Sequence, residues 1–527
     1  MSEVNEEAKC ALCQKIANQI CSACHNVFYC SKEHQKSHWK KHKEHCQAFK
    51  ISSDEAMGRF LEASNDIKEN IVILKEKPLV IGPAQETIPV CLGCYQEIDS
   101  GCYKSCSKCK WPMCSVKCEE SVFHAPECFF ISRSKSEFLI NNFENTNHFY
   151  QIIIILRCLY QKKHNPEVWQ KITNLESHNE ERKSTNKYNQ EKLMVTEILY
   201  KLLKLESEFS VEEILNICGI ILVNSHEVPL SEPPYIAIYE KTSMLEHNCR
   251  SNCSKSFSKN GEILITSGLG IKKGDHLSIC YADPLWGTMK RRAFLKETKF
   301  FSCCCPRCSD ATEFQTYFSS FSCQKGSCEG KLLPKSFLQT TENLWRCNKC
   351  DYSVENTLVS TLTEKLENEI TYLNKNNIFS CKNFLKKLRK ILPANNFLLV
   401  EVKLALCQLI GQLTANGLAD VCDEDLALKR LLCMELIQLT NTLIPSERRV
   451  RGLLLFEKHA CLVEIATRMA KKYGDVESMA IQKLLQESRS YVKQAIEQLK
   501  FEPNILPEGK ICAQARKNLE DLNSLLQ

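Results

Sequence analysis

SMLEHNCRSNC, residues 243–253, concentrates a carboxylate, an imidazole, two amides and two thiols in one short segment. Further along the chain, KFFSCCCPRC at 299–308 supplies three thiols at CxCxxC spacing. Three thiolates leave a structural zinc site one ligand short, because such sites are four-coordinate and closed. Cys249 of the first segment is a candidate for the missing ligand beside Cys303, Cys305 and Cys308.

The length and charge of the chain limit its architecture and its partners. Its 527 residues are too many for one hydrophobic core, because cores stop growing at about 250–300 residues. About three domains are therefore expected. The formal net charge of +6 is mild, which argues against a dedicated nucleic-acid binder with a dominating basic face.

Cysteine is the compositional outlier, with 33 residues. The N-terminus MSEVNEEAKC is polar and acidic and lacks the apolar core of a secretory signal, so metal binding by reduced thiols is favoured over disulfides. The most apolar run, IIIILRCLY at 152–160, is shorter than the roughly 18–20 residues that cross a bilayer. We expect a soluble monomer of the cytoplasm and nucleus, with no membrane association.

Two sets of eight Cys and His residues repeat the same order along the chain. Each set has two CxxC pairs, which suit tight turns, and then two pairs at i, i+4, which lie on one face of a helix. Reduced core cysteines would not repeat in this order, and the Cys/His mixture favours zinc over haem or iron–sulfur clusters. The sets are Cys10/Cys13, Cys21/Cys24, Cys30/His34 and His42/Cys46, and Cys91/Cys94, Cys106/Cys109, Cys114/Cys118 and His124/Cys128.

A further group of cysteines would close a ribbon-like site, although its CxxxxC half is looser than a zinc knuckle. With two ions in each eight-ligand set, we expect about six zinc ions in all. His38 lies four residues after His34 and four before His42, so it could replace one of these neighbours as a ligand. A surface histidine is the favoured interpretation. The cysteines of the ribbon-like group are Cys323, Cys328, Cys347 and Cys350.

The order of strand-like, cysteine-rich and helical segments predicts the domains. Strand patterns before and after the second finger indicate a β domain that is interrupted twice, once by a cysteine module and once by helices. Helical apolar spacing with few Gly or Pro dominates the last third of the chain. The predicted units are an N-terminal finger at 1–49, a first β part at 50–90, an inserted finger at 91–130, a helical insertion at 131–215, a second β part at 216–298, a cysteine-rich region at 299–355 and a helical domain at 356–527.

The eight-ligand sets resemble the MYND zinc finger, and YCSKEHQKSHWKKHKEHC at 29–46 is close to its helical second half. His34 stands where the family usually has cysteine, and imidazole is an acceptable zinc ligand in its place. The resemblance implies binding of proline-containing protein partners, and a purely structural module is the alternative.

Taken in order, the segments resemble the SET-and-MYND (SMYD) protein lysine methyltransferases, and most closely the arthropod-type members with an added N-terminal finger. GRFLEASNDIKEN looks like the first SET motif, and ICGIILVNSHEV, MLEHNCRSN, GDHLSICYAD and FFSCCCPRC follow in the family's order. The resemblance implies an α+β multidomain fold, in which a MYND finger and a helical insertion split a SET β-fold that is followed by a post-SET zinc site and a TPR-like helical array. It also implies S-adenosyl-L-methionine as cofactor, lysines of histone or non-histone proteins as substrates, and protein partners bound through the fingers.

The resemblance also assigns roles to particular residues. Tyr281 matches the catalytic tyrosine, and Cys249 with the CxCxxC thiols matches the post-SET zinc site. A lysine amine is almost wholly protonated at neutral pH, so an apolar channel must favour its neutral form before it can attack a methyl group. The cofactor pocket would be formed by backbone of Gly58, Arg59 and Phe60 and by Asn224, Ser243, Glu246, His247 and Phe301.

Two residues depart from the family pattern. Phe60 occupies the second glycine position of the first motif, and Glu246 replaces the asparagine that precedes the histidine. An ionised carboxylate only accepts hydrogen bonds, whereas an amide also donates them. These departures support a second hypothesis, a non-enzymatic adaptor that acts through its fingers and helical surface. A zinc-dependent nucleic-acid binder is a third hypothesis, disfavoured because no module concentrates basic residues.

Overall fold

A computed structural model describes residues 8–21, 27–43, 46, 48–55, 57–134, 138, 140–339, 343–474 and 478–526. Within these residues, finger modules, short sheets and helices alternate along the chain. None of the helices in these ranges combines the length and the apolar character that crossing a membrane requires.

The first finger is a short hairpin followed by one helix. β1 (Gln19–Ile20) pairs antiparallel with β2 (Phe28–Tyr29), and α1 spans Lys32–His42. Ser31 begins the helix, because its side-chain oxygen accepts a hydrogen bond from the backbone N–H of His34 at 3.3 Å and so satisfies a free helical donor.

The β domain is assembled from strands that lie far apart in the sequence. Two sheets join strands from before and after the insertions, since β5 pairs with β13 and β6 pairs with β10. A parallel pair, β11 and β14, carries Glu246 and His247 into the centre of this domain. The strands are β3 (Phe49–Asp54), β4 (Gly58–Ala63), β5 (Val72–Glu76), β6 (Val80–Pro83), β9 (Ser225–Val228), β10 (Tyr235–Ile238), β11 (Glu246–His247), β12 (Cys253–Phe257), β13 (Ile263–Ser267) and β14 (Ser278–Ile279).

The second finger and a group of helices are inserted between the two halves of the β domain. The apolar run at 152–160 is part of a helix whose isoleucines are buried against β6 and the finger, which explains its continuous hydrophobicity without a membrane. The inserted elements are β7 (Lys104–Ser105), β8 (Pro112–Met113), α2 (Val116–Glu119), α3 (Ala125–Ser134), α4 (Gln151–His164), α5 (Pro166–Thr173), α6 (Asn179–Arg182), α7 (Asn186–Met194), a π-helical segment (Val195–Leu202) and α8 (Val211–Asn224).

A cysteine-rich region and a helical array complete the chain. The region after the β domain contains a four-stranded antiparallel meander. In the helical array that follows, α11 packs on α13, and from α12 onward each helix packs on the next. The elements are α9 (Thr288–Thr298), α10 (Pro306–Ser309), β15 (Phe321–Ser322), β16 (Lys331–Pro334), β17 (Leu344–Cys347), β18 (Ser353–Glu355), α11 (Asn356–Thr371), α12 (Ile378–Leu388), α13 (Phe397–Leu409), α14 (Asp423–Leu443), α15 (Arg448–Tyr473), α16 (Met479–Leu499) and α17 (Pro507–Leu525).

Candidate functional site

In the first finger, the first ligand pair lies beside the third, and the second pair lies beside the fourth. Cys10, Cys13, Cys30 and His34 form one group, in which the Sγ atoms of Cys13 and Cys30 lie 3.5 Å apart. A separate group joins the second and fourth pairs through Cys21, His42 and Cys46. Cys24, the predicted fourth ligand of this group, lies outside the described residues. Because ligand pairs that are separated in the sequence share a site, two metal ions would cross-link this short module. The module is too small to have much of a hydrophobic core.

His38 does not join either group. Its Nδ1 lies 3.1 Å from the hydroxyl of Tyr29, and its ring stacks on that of His42 at 6.0 Å between centroids. His38 therefore supports a neighbouring ligand by packing, whereas His42 belongs to the second group.

The second finger has the same alternation. Its fully buried group consists of Cys106, Cys109, His124 and Cys128. In the other half, the Sγ atoms of Cys94 and Cys114 lie 3.7 Å apart, and the backbone N–H of Cys114 donates to Cys91 Sγ at 3.4 Å. Gly93 lies against Cys118, where an added Cβ would come within 2.9 Å of the cysteine Cβ. This close approach brings the last cysteine of that half to the other three.

A buried ion pair holds His124 of the second finger. His124 Nδ1 lies 3.0 Å from Glu127 Oε1, and Arg157 on α4 donates to both oxygens of Glu127 at 2.7 Å. The same guanidinium also donates to backbone oxygens of Ile81 and Leu92. Carboxylates that orient a ligating histidine in this way fix its ring and its tautomer. Sequence reasoning missed both supporting residues, although the HxxE spacing was a signal for Glu127.

The opening segment and the CxCxxC segment also meet. Cys249 Sγ lies 3.6 Å from Cys308 Sγ and 4.0 Å from Cys303 Sγ, and Cys305 completes the group. Sulfurs bound to zinc at about 2.3 Å in a tetrahedron are about 3.8 Å apart, so these distances suit a four-thiolate site. The ribbon-like group is similarly spaced, with 3.7 Å separations in Cys323–Cys350 and Cys328–Cys347.

Two buried arginines compensate the charge beside the Cys249 group. Arg291 Nη2 lies 3.9 Å from Cys308 Sγ, and Arg307 donates to the backbone oxygen of Cys249 at 3.3 Å. Glu313 pairs with both guanidinium groups, at 3.3 and 2.7 Å. Because zinc with four thiolates carries two negative charges, adjacent cations stabilise the metal-bound form.

Tyr281 contacts two of the predicted cofactor residues, His247 and Phe301. Its backbone N–H donates to His247 Nδ1 at 3.0 Å, and its hydroxyl donates to the backbone oxygen of Leu245. The ring of Phe301 lies 5.7 Å from that of His247 and 6.5 Å from that of Tyr281. Burial raises the pKa of the Tyr281 phenol well above its usual value, so the hydroxyl stays protonated. The other nitrogen of His247, Nε2, lies 3.2 Å from Cys249 Sγ, which links this cluster to the four-thiol group.

The two residues that depart from the family pattern are connected through His276. The Phe60 ring, 5% exposed, stacks on His276 with 4.1 Å between centroids. His276 Nδ1 lies 2.6 Å from Glu246 Oε1. Burial raises the pKa of the Glu246 carboxyl, and the nearby His276 opposes that shift. Glu246 is therefore paired with His276 through one of its carboxyl oxygens.

Asn224 is held at the C-terminal end of α8, and Lys299 connects this end of the helix to Tyr281. Its amide protons go to the backbone oxygens of Glu176 at 2.7 Å and Ile220 at 2.9 Å, which leaves its side-chain oxygen as an acceptor. Lys299 donates to the carbonyl of Val223 at 2.6 Å, and its Nζ lies 5.9 Å from the Tyr281 ring centroid. Burial lowers the pKa of this lysine to about 8.

The remaining predicted cofactor residues are Gly58, Arg59 and Ser243. Gly58 begins β4 with φ +67°, and nothing lies within 4 Å of where a Cβ would be, so its backbone faces open space. Arg59 donates to the backbone oxygen of Asn174. The hydroxyl of Ser243 donates to the backbone oxygen of Tyr239 at 2.6 Å, so this side chain stabilises the local backbone.

Comparison with known proteins gives these modules a family. A MYND finger family model matches residues 10–46. The SET domain-containing protein SmydA-8, isoform A, of Drosophila melanogaster is 26% identical over 370 residues, which cover 67% of this chain and 76% of the relative. The N-terminal finger therefore matches the MYND family, and the chain is similar to a SET domain-containing protein over two thirds of its length.

Other similar proteins have more specific names. Histone-lysine N-methyltransferase SMYD3 of Mus musculus is 26% identical over 215 residues, covering 38% of this chain and 48% of the relative. Histone-lysine N-methyltransferase ASHR1 of Arabidopsis thaliana is 24% identical, over 57% of this chain and 63% of the relative. A solved SET domain of LSMT bound to lysine and AdoHcy aligns over 93% of both chains, but at 12% identity and a TM-score of 0.29 it carries no argument.

The predicted fold class is confirmed. It is an α+β multidomain protein, with a finger at its N-terminus and a β domain split by insertions. The numerical domain boundaries, the individual cofactor contacts and the identity of the metal stay predictions.

Proposed function

We propose that this protein is a SET and MYND domain protein that transfers methyl groups from S-adenosyl-L-methionine to lysines of histone or non-histone proteins. The observation that carries the proposal is the convergence of Tyr281, His247 and Phe301 beside a four-thiol group. Relatives named histone-lysine N-methyltransferases support it. We further propose that the protein acts in the cytoplasm and nucleus as a monomer, with nucleic acid not its primary partner.

The residues fit the proposed cofactor chemically. The cofactor carries an ammonium, a carboxylate, an adenine and a sulfonium. The side-chain oxygen of Asn224 and a carboxyl oxygen of Glu246 would accept from the ammonium, and the Phe301 ring would offer the adenine an aromatic face. The open space at Gly58 leaves room for close approach to the backbone.

The proposed chemistry depends on alignment and desolvation. When bound, S-adenosyl-L-methionine supplies an electrophilic methyl group. Tyr281 is held by its contacts to His247 and Leu245, so its oxygen would orient an incoming amine and interact with the polarised methyl group. The aromatic surroundings lower the pKa of a substrate lysine by desolvation, and the positive charge of Lys299 lowers it further by repulsion.

Zinc is the metal that these donor sets fit, since each complete group offers four Cys or His ligands without an open position. We propose about six zinc ions, two in each finger and one in each four-cysteine group. Their role here is structural: the Cys249 group would fasten the segment with Glu246 and His247 to the segment with Phe301.

We propose that the first finger binds protein partners. Its apolar side chains Leu12, Ile16 and Trp39 are 46%, 66% and 44% exposed. An exposed apolar surface on a rigid finger suits an apolar or proline-containing peptide.

The activity is tested by Tyr281→Phe in the zinc-loaded protein. We expect methyl transfer to a histone mixture or to lysate proteins to fall by about 100-fold or more, because the variant loses the oxygen that orients the amine. Tyr372→Phe, at an exposed position of the helical array, is the control and should keep full activity. Equal activity of the three proteins would contradict the assignment of Tyr281.

A second function is favoured by one observation, the stacked and paired unit of Phe60, His276 and Glu246. If these three side chains fill the proposed cofactor pocket, the protein is an adaptor that acts through its fingers and helical surface. The adaptor hypothesis expects no cofactor binding, no gain of methyl transfer in Glu246→Asn, and partner capture that depends on the first finger. Methyl transfer that is lost in Tyr281→Phe would exclude it.

A further inference from the structure

Lys299, the first residue after α9, connects two parts of the proposed site. Its Nζ donates to the backbone oxygens of Val223 at 2.6 Å and Leu222 at 3.3 Å, in the last turn of α8. The same Nζ lies 5.9 Å from the centroid of the Tyr281 ring, within the range of a cation–π contact. One ammonium therefore joins the end of the helix that carries Asn224 to Tyr281.

The end of α8 has carbonyl groups that need such a donor. The last carbonyls of a helix have no partner within the helix, and its C-terminus carries a partial negative charge. The backbone N–H of Ser225 donates to the oxygen of Ile221, and Lys299 donates to the next two oxygens. The Asn224 amide is already used, because its protons go to other backbone oxygens. Lys299 thus fixes the helix end at the residue whose side-chain oxygen is a proposed cofactor acceptor.

The backbone next to Lys299 adopts an unusual conformation. Phe300 has φ +62°, in the left-handed region that bulky residues rarely adopt. Its own ring packs on that of His178, with 5.6 Å between centroids. The residues on either side of it, Lys299 and Phe301, both lie beside Tyr281, and the Phe301 ring is 6.5 Å from the Tyr281 ring. A strained turn that brings two neighbours to one side chain is typical of a functional site.

The charges around Lys299 make this part of the site positive. The ionisable groups that face it are Lys255 on β12, His226 on β9 and Tyr281. Burial and the charge of Lys255 lower the pKa of Lys299 to about 8, so this lysine is still mostly protonated at neutral pH. Burial also lowers the pKa of His226, which is therefore neutral. Within the described part of the chain, no carboxylate forms an ion pair with Lys299.

Helix capping alone is the simpler explanation of Lys299. Lysines near a helix C-terminus often donate to its last carbonyls, so capping accounts for both hydrogen bonds. Capping does not account for the left-handed turn at Phe300, nor for a positive charge held against Tyr281 without a carboxylate beside it. A role at Tyr281 accounts for all three observations, and it predicts a pH dependence that capping does not.

We propose that Lys299 is a positioning residue of the methyl transfer, and that its charge selects the neutral form of the substrate lysine. This inference rests on the proposed function. The contacts of Lys299 hold Asn224 and Tyr281 in fixed relative positions, and its ammonium repels a second ammonium beside Tyr281. The proton that the substrate amine gives up leaves to solvent, and Lys299 itself is not changed.

The test compares the pH dependence of methyl transfer in the zinc-loaded wild-type protein, Lys299→Met and Lys299→Arg. Methionine keeps the apolar stem but removes the charge and the donor protons. We expect the acid limb of the rate profile of Lys299→Met to move up by about one pH unit, because the pKa of the substrate amine rises when the repulsion is lost. Lys299→Arg keeps a charge and donors, so its acid limb should stay at the wild-type position. Lys296→Met, at an exposed lysine of α9, is the matched control and should keep the wild-type profile.

Hydrogen exchange is a second measurement that needs no activity. In Lys299→Met, we expect exchange at residues 221–226 to be about tenfold faster than in Lys296→Met, because the end of α8 loses its donor. Unchanged exchange would overturn the positioning role. A rate that falls by the same factor at every pH would overturn the selection of the neutral amine and leave only helix capping.

Failure of this proposal can be distinguished from failure of the proposed function. A wild-type protein without methyl transfer at any pH would contradict the proposed function itself, whatever the exchange rates are. An active wild type together with an unshifted profile in Lys299→Met would contradict only the role of Lys299. If Lys299→Met does not fold, Lys299→Gln, which keeps a donor but carries no charge, takes its place in the rate measurement, with the same shift expected.

Discussion

At the scale of single residues, Glu127 shows how a side chain that binds no metal can determine the strength of a metal site. It is fully buried between His124 of the second finger and Arg157 of the helical insertion. A buried carboxylate in this position keeps the imidazole in the tautomer that can ligate, and the arginine compensates its charge.

Glu127→Gln should weaken zinc at the second finger. An amide accepts a weaker hydrogen bond from the imidazole and leaves Arg157 without its carboxylate, so we expect about 10–100-fold lower affinity for one zinc ion. Competition with a zinc-binding dye measures this change. Glu120→Gln, at an exposed position of the same finger, is the matched control, and equal zinc affinity in both variants would refute the role of Glu127.

Individual ligands could be predicted from the sequence because their spacing is local. The connection between Phe60 and Glu246 could not, because it passes through His276, which packs on one residue and hydrogen-bonds to the other. That contact depends on the parallel pairing of β11 with β14, where Glu246 lies opposite Ser278. No local pattern specifies that register.

At the scale of elements, His459 ties together the last helices of the array. It lies on α15, with Nδ1 2.7 Å from the hydroxyl of Ser488 on α16 and Nε2 3.0 Å from Asn518 on α17. Burial lowers the pKa of this histidine to about 4. The folded state therefore holds it neutral, while the unfolded chain takes up a proton below about pH 6.5.

The depressed pKa of His459 predicts acid sensitivity in these helices. Stability should be lost as the pH falls from about 6.5 to about 4, by up to about 3 kcal/mol, because the unfolded state binds more protons in this window. Hydrogen exchange of α15–α17 as a function of pH measures it. His459→Gln should remove this part of the pH dependence, whereas His164→Gln, at an exposed histidine, should retain it. Identical profiles for both variants would contradict the assignment.

Elements differed in how far the sequence predicted them. The helical array and the finger helices followed from apolar spacing and ligand spacing, which are periodic and local. Strand patterns on both sides of the insertions predicted a split β domain, but the pairing of β5 with β13 was not predicted. The π-helical turn at Val195–Leu202 had no signal, since its pattern is that of an amphipathic helix.

At the scale of the whole molecule, the helical array supports the segment that carries Glu246, His247 and Cys249. Arg250 donates to the carbonyl of Thr442 at 2.9 Å, and Ser446 donates to the carbonyl of Ser251 at 2.6 Å. Gly268 completes this contact, because only a residue without a Cβ fits against Ser446. Such contacts between distant parts of the chain could not be predicted from one sequence.

Gly268→Ala should loosen this interface. The new Cβ would lie 2.4 Å from the Cβ of Ser446, so the array must shift, at a cost of about 1–3 kcal/mol in stability. We expect faster hydrogen exchange at 248–252 and weaker cofactor binding. Gly270→Ala is the matched control, since nothing lies within 4 Å of its Cβ position. Unchanged exchange in Gly268→Ala would show that the array does not support this segment.

The account as a whole depends on a cofactor pocket beside Tyr281. Its most direct test is calorimetric titration of the zinc-loaded wild-type protein with S-adenosyl-L-methionine. We predict saturable binding of one molecule per chain, which is lost when the zinc ions are removed. An absence of saturable binding at cellular cofactor concentrations would contradict the methyltransferase proposal and favour the adaptor.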